Sequence, residues 1–110
     1  MKSYLIDELS QGDLAKIRTL LKRVAIPSNL EDVFWIKVPR DLLSDIQFRH
    51  EACQPHVFAV EVGDQWIKVE FFVRTLNHMR CECPAYCTRQ QRDYAIRFTD
   101  GMLTQLNIGS

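Results

Sequence analysis

The chain has 110 residues, of which 46% are hydrophobic and 25% are charged, as is usual for a globular domain. Fourteen basic and fourteen acidic residues balance, so no basic tail or acidic tract indicates a nucleic acid, a membrane surface or an acidic partner. The N-terminus turns polar at Asp7, and no apolar run approaches the roughly 20 residues of a membrane span. We therefore expect one cytoplasmic domain covering residues 1–110, with no membrane association.

The first predicted element is a helix that begins at Ser10 and ends before Pro27. Ser10 is a suitable N-cap, and Asp13 places a carboxylate in the first turn, where the helix dipole favours negative charge. Apolar residues then recur at helical spacing, at Leu14, Ile17, Leu21 and Val24. Residues 4–9 are compatible with a separate short turn or with an earlier part of the same helix.

A strand is predicted at Val33–Val38, because the run is β-branched and aromatic and Pro39 closes it. Asp41 can cap a second helix that carries Leu42, Leu43 and Ile46 toward the core and ends near His50 or Cys53. Since a helix then joins this strand to the next one, the pattern favours a parallel crossover between them.

The sheet is predicted to centre on a β-hairpin formed by residues 57–62 and 66–74, with Gly63-Asp64 as a two-residue turn. Gly63 is expected to supply the positive φ that such a turn requires. This register places Val60 opposite Ile67, and it places charged side chains on the other face of the sheet, at Glu61, Lys68 and Glu70. Met79–Cys83 is predicted to add a third antiparallel strand.

Thr88 and Gln91 have the spacing of a capping box and predict the start of the last helix. Its core face is expected to consist of Ala95, Phe98, Met102 and Leu106. The predicted fold is thus a single α+β domain. It contains a four-stranded mixed sheet, with the hairpin and meander of residues 57–83 at its centre, and about three helices packed mainly on one face.

Thiol and imidazole groups concentrate in two stretches, His50-x2-Cys53-x2-His56 and Cys81-x-Cys83-x3-Cys87. Zinc prefers such ligands, but the Cys-x2-Cys spacing typical of structural zinc is absent from both stretches. We therefore expect buried thiols and no cofactor. The alternative is a structural zinc site, with thiolates from Cys81, Cys83 and Cys87 and a fourth ligand from Cys53 or His56.

Two further features bear on function. Cys87 directly precedes the Thr88 cap, where backbone N–H groups and Arg89 could activate its thiol for enzymatic or redox chemistry. The hairpin face that carries Trp66 and Phe72, together with Trp35, is either a surface for a partner or is covered by a helix. The expected function is a non-enzymatic binding or regulatory module that acts through a protein partner, and nucleic acid is not the expected partner. A structural-zinc protein and a thiol-dependent enzyme are the alternatives.

Overall fold

An antiparallel sheet of six strands organises the described residues, 2–76 and 82–109, of the computed structural model. The strands are β1 (Ser3–Ile6), β2 (Val33–Lys37), β3 (His56–Val62), β4 (Ile67–Glu70), β5 (Phe72–Thr75) and β6 (Ala85–Tyr86). The helices are α1 (Gln11–Val24), α2 (Asp45–Arg49) and α3 (Arg89–Gln105), and 3-10 turns lie at Arg40–Leu42 and Glu51–Cys53. The predicted α+β class with three helices is confirmed, whereas the prediction of four strands in a mixed sheet is wrong.

Strand β3 lies at the centre of the sheet, with β2 on one side and β4 followed by β5 on the other. Phe71 interrupts the β4–β5 run. Its backbone N–H donates to the carbonyl of Lys2 at 2.9 Å, and its carbonyl accepts from the N–H of Cys87 at 3.0 Å. Lys2, just before β1, and Cys87, just after β6, are therefore both hydrogen-bonded to Phe71. As a result β1 and β6 extend the sheet on the same side of β3.

Strands β2 and β3 run antiparallel, with Lys37 opposite Val57, so the predicted parallel crossover is wrong. The segment between β2 and β3 consists of two 3-10 turns and the five-residue helix α2. It returns the chain to the end of the sheet where β2 finished. Helix α2 is capped by Ser44 and not by Asp41. Leu42 and Leu43 pack against the core as predicted, whereas Ile46 is 41% exposed.

The first residues form a strand, which neither of the sequence alternatives anticipated. Strand β1 pairs with β4, and Ile6 lies opposite Ile67 on the buried face. Glu8 adopts a φ of 58°, which ends the extended run before α1 begins. The N–H of Leu9 then donates to the carbonyl of Gln65 and ties this bend to the hairpin turn.

The hairpin forms, but its register differs from the prediction by two residues. Val62 lies opposite Ile67, so the loop spans the four residues 63–66. The positive φ occurs at Gln65, at 82°, and not at Gly63. Because side chains alternate with a period of two, this shift leaves every residue on its predicted face. Glu61 and Lys68 accordingly form an ion pair of 3.4 Å on the predicted charged face of the hairpin.

Helices α1 and α3 supply the apolar side chains that cover the inner face of the sheet. The hydroxyl of Ser10 accepts from the N–H of Asp13, and Thr88 and Gln91 form the predicted capping box, so both helix starts are confirmed. The core shared by helices and sheet includes Leu14, Ile17, Leu21, Phe58, Val60, Val69, Ala95 and Met102. No helix within the described residues is long and apolar enough to cross a membrane. The strand predicted at 79–83 falls mostly on residues 77–81, which lie outside the described residues, and Cys83 belongs to no strand.

We expect the substitution Gly63→Ala to lower the free energy of unfolding by about 1–2 kcal/mol, as overpacking typically does. A Cβ atom at Gly63 would overlap the ring of Trp66, so the ring would have to leave the turn. Urea unfolding of the two proteins checks this expectation. Gly101→Ala is the matched control, because nothing lies within 4 Å of its added Cβ; this substitution should raise helix α3 stability by about 0.5–1 kcal/mol. Equal effects of the two substitutions would contradict the proposed contact.

Candidate functional site

Three potential metal ligands converge next to α2: the imidazole of His50 and the thiols of Cys53 and Cys83. Their ligand atoms all lie within 4.8 Å of one another, and His50 Nδ1 is 3.9 Å from Cys53 Sγ. Both cysteines are buried and His50 is half-buried. The cluster therefore combines two buried soft sulfur donors with one half-buried nitrogen donor.

Local sequence explains why His50 and Cys53 lie side by side. Helix α2 ends at His50, and the chain continues directly into the 3-10 turn Glu51–Cys53, whose N–H at Cys53 donates to the carbonyl of His50 at 3.0 Å. Side chains three residues apart in a 3-10 turn nearly superpose along its axis. The spacing His50-x2-Cys53 thus suffices to bring these two groups together.

Cys83 comes from a distant part of the chain and is positioned by buried amide groups. The Gln47 side-chain Nε2 donates to the Cys83 carbonyl at 3.2 Å, and Gln91 Nε2 donates to Gln47 Oε1 at 2.8 Å. Gln91 Nε2 also donates to the carbonyl of Leu42 at 2.9 Å. Both glutamine side chains are buried, so these hydrogen bonds form where water does not compete for the same groups.

The two glutamines also occupy equivalent positions in their helices. Gln47 closes a capping box with Ser44 at the start of α2, and Gln91 closes one with Thr88 at the start of α3. Each side-chain oxygen accepts from the N-cap backbone N–H, at 3.0 Å for Gln47 and 2.9 Å for Gln91. The remaining amide hydrogens are then available to join the two helix starts to each other and to Cys83.

The structure brings together only part of the predicted ligand set. Cys53 and Cys83 belong to the cluster, and His50 joins them although the sequence analysis did not include it among the ligands. Cys87 and His56 are not members of this group. Cys81 lies outside the described residues and stays a prediction. The sequence did contain a signal for His50. It lies three residues before Cys53 in the His50-x2-Cys53-x2-His56 pattern, a spacing that brings the two side chains together in a turn.

His56 is a second imidazole in the same region and is fully enclosed. Among the described residues, neither of its ring nitrogens has a hydrogen-bond partner. Burial lowers the pKa of His56 below its usual value, and a positive charge on His50 lowers it further. Burial thus favours the neutral form of the His56 ring.

Cys87 differs from the clustered thiols in its surroundings. It lies half-buried after β6, where burial and, to a lesser extent, the charge of Glu70 raise the pKa of the Cys87 thiol to about 11, although Arg92 acts in the opposite direction. A reactive thiolate needs the reverse shift. The surroundings of Cys87 therefore weigh against thiol catalysis.

The outer face of the sheet is open to solvent, which answers the question that the sequence left undecided. No described helix covers it, and none of its side chains is buried apart from that of Val57. We call this surface the outer face; it presents Leu5, Trp35, Lys37, Glu61, Lys68, Glu70, Phe72, Arg74 and Tyr86.

Aromatic rings and cations alternate on the outer face. The rings of Phe72 and Tyr86 meet edge to face with centroids 5.2 Å apart. The guanidinium of Arg74 lies 5.0 Å from the Phe72 ring centre, and the ammonium of Lys2 lies 5.5 Å from that of Tyr86. Arg74 also binds Glu70 through two hydrogen bonds of 2.9 and 3.2 Å. These contacts hold the exposed rings in defined positions.

Comparisons of the chain with protein-family models, with curated proteins and with solved structures find no match. Function is therefore inferred from the side chains and geometry of this chain.

We expect Gln91→Ala to lower the free energy of unfolding by about 1–3 kcal/mol, because the carbonyl of Leu42 and the Oε1 of Gln47 would lose a buried donor. Chemical denaturation measures this change. Gln90→Ala is the matched control in the same helical turn; its side chain is exposed, and its effect should stay within about 0.5 kcal/mol. A Gln91 variant as stable as the Gln90 variant would show that the amide network contributes nothing.

We expect Cys87 to react slowly with iodoacetamide at pH 7. A pKa of about 11 in place of 9.0 lowers the thiolate fraction by about a hundredfold, and the rate should rise with pH up to about 11. Because the unfolded chain releases this proton at lower pH, the contribution of Cys87 to stability is present below pH 9 and is lost as the pH rises through 11. Mass spectrometry of the Cys87 peptide at several pH values, with urea-unfolded protein as the control, checks the rate. Rapid and selective labelling at pH 7 would contradict the raised pKa.

Proposed function

We propose that this protein is a non-enzymatic binding module whose outer face holds another protein. The observation that carries the proposal is the exposure of ordered aromatic rings on a sheet face that no described element covers. Tyrosine, tryptophan and arginine side chains contribute a large share of the binding energy in protein interfaces, and Tyr86, Trp35 and Arg74 lie on this face. Tyr86 alone is 59% exposed.

Ordering of these side chains before binding favours a tight complex. Immobilising a flexible side chain on association costs about 0.5–1.5 kcal/mol, and that cost is smaller where the side chain is already restrained. Phe72 and Tyr86 restrain each other by their edge-to-face contact, and Arg74 is held between Phe72 and Glu70. The outer face is thus preorganised around Phe72 and Tyr86.

The charges of the outer face favour a protein over a nucleic acid. Glu61 pairs with Lys68 and Glu70 pairs with Arg74, so carboxylates lie among the cations and would repel phosphate groups. A protein surface with an apolar centre and a rim carrying both signs of charge complements this arrangement.

The proposal extends to location and chemistry. A cytoplasmic location agrees with the use of cysteines as thiols or metal ligands, because disulfides are rare in that compartment. The raised pKa of Cys87 supports a non-enzymatic module over the thiol-dependent enzyme. Both statements stay proposals.

A photo-crosslinking amino acid introduced at position 86 in cells should yield one discrete adduct with a second protein, which mass spectrometry identifies. The purified partner should then bind the Tyr86→Ser variant at least about tenfold more weakly than the unchanged protein, as for a residue central to an interface. Leu30→Ser is the matched control, because Leu30 is 60% exposed and lies in the loop between α1 and β2, not on a strand of the sheet.

Three results would contradict the proposal. They are a crosslink to nucleic acid, a crosslink only to a second copy of the chain, and equal losses of affinity in the Tyr86 and Leu30 variants. Circular dichroism spectra of both variants show whether each substitution leaves the fold intact.

A further inference from the structure

We propose that His50, Cys53 and Cys83 bind a zinc ion at the end of α2. This site is separate from the outer face and does not depend on the function proposed above. Its basis is the convergence of two sulfur atoms and one imidazole nitrogen within 4.8 Å, from two segments that are thirty residues apart in the chain.

The distances match those of a metal site. With Zn–S bonds of about 2.3 Å and Zn–N bonds of about 2.0 Å, tetrahedral geometry separates a sulfur from a nitrogen ligand by about 3.6 Å and two sulfurs by about 3.8 Å. The observed distance from His50 Nδ1 to Cys53 Sγ is 3.9 Å, and no pair in the cluster exceeds 4.8 Å. Side-chain movements of about 1 Å or less would therefore complete the coordination of three ligands.

The donor set selects the metal. Thiolate and imidazole ligands suit zinc, whereas magnesium and calcium require oxygen ligands. The charge balance also fits the buried position of Cys53 and Cys83, because two thiolates neutralise a divalent cation and leave no net buried charge. Binding the metal requires both thiols to release their protons.

The surrounding hydrogen bonds hold the ligands in place. Gln47 donates to the Cys83 carbonyl, and the N–H of Cys53 donates to the carbonyl of His50, so the backbone beside each ligand is restrained. Outer hydrogen bonds of this kind orient metal ligands and strengthen binding. Gln47 and Gln91 thus act as positioning residues for the proposed site.

Zinc takes four ligands, and His50, Cys53 and Cys83 supply three of them. Neither His56 nor Cys87 is a member of the cluster, so the described residues leave the fourth position to a water molecule or another small ligand.

The test uses the full chain, purified without added metal and without a polyhistidine tag, with zinc measured by inductively coupled plasma mass spectrometry. We expect about one zinc per chain, as a single four-ligand site requires. The variants Cys53→Ser, Cys83→Ser and His50→Ala should each lose most of this zinc. Cys87→Ser is the matched control and should retain all of it, because Cys87 lies outside the cluster.

A second measurement uses the unchanged protein, so that its result does not depend on whether the variants fold. After removal of zinc with a chelator, titration with cobalt(II) should produce the thiolate-to-metal charge-transfer absorption of a sulfur-ligated site, and zinc should abolish it. The melting temperature should fall in chelator and return with zinc, since a ligand bound only to the folded chain stabilises it.

Four outcomes would overturn the proposal: protein that contains no zinc and whose melting temperature does not respond to zinc or chelator, a cobalt complex without charge-transfer absorption, retention of zinc by the Cys53 and Cys83 variants, or a disulfide between these two cysteines in the native protein.

Discussion

The buried hydrogen bond between Gln91 and Gln47 connects more of this structure than any other single contact that we describe. Each glutamine first closes the capping box of its own helix, so the bond joins the start of α2 to the start of α3. Gln47 then holds the carbonyl of Cys83, and Gln91 holds that of Leu42. An amide network of this kind contributes stability only when every member is satisfied, because each buried group left without a partner costs about 1–3 kcal/mol. The two helix starts and the segment carrying Cys83 consequently form one unit.

This unit connects the two sites that we propose. Cys83 lies three residues before Tyr86, and β6, which contains Tyr86, pairs with β5, which carries Phe72. A metal ion bound to Cys83 would therefore restrain the strand that presents Tyr86 on the outer face. The hydrogen bonds of Phe71 to Lys2 and Cys87 restrain the same strand from its other end. In this arrangement a metal ion at one end of the sheet would help to keep Tyr86 and Phe72 ordered on the outer face.

Prediction succeeded where a few neighbouring residues decide the structure. Ser10 and Thr88 mark helix starts because a cap is satisfied by backbone groups two or three residues away. The alternation of apolar and charged residues in the hairpin assigned Glu61 and Lys68 to one face correctly, and the error of two residues in register left that assignment intact. Prediction failed for residues 3–6, whose extended conformation depends on pairing with β4, more than sixty residues away. It also failed for the cap of α2, where Ser44 with Gln47 competes successfully against Asp41.

The same difference between local and long-range contacts applies to the candidate metal site. The sequence by itself identified two stretches of donor groups, with Cys83 as a candidate thiolate and Cys53 or His56 as a candidate fourth ligand, because the identity of donor groups is a property of residue type. Tertiary structure alone decided that the donor atoms of His50, Cys53 and Cys83 lie within 4.8 Å of one another and that Cys87 lies outside this cluster. It also decided that the outer face stays uncovered, since both long helices pack on the inner face. The physical reason is range: capping and alternation act over a few residues, whereas the convergence of His50 with Cys83 depends on buried contacts between segments that the chain separates by more than thirty residues.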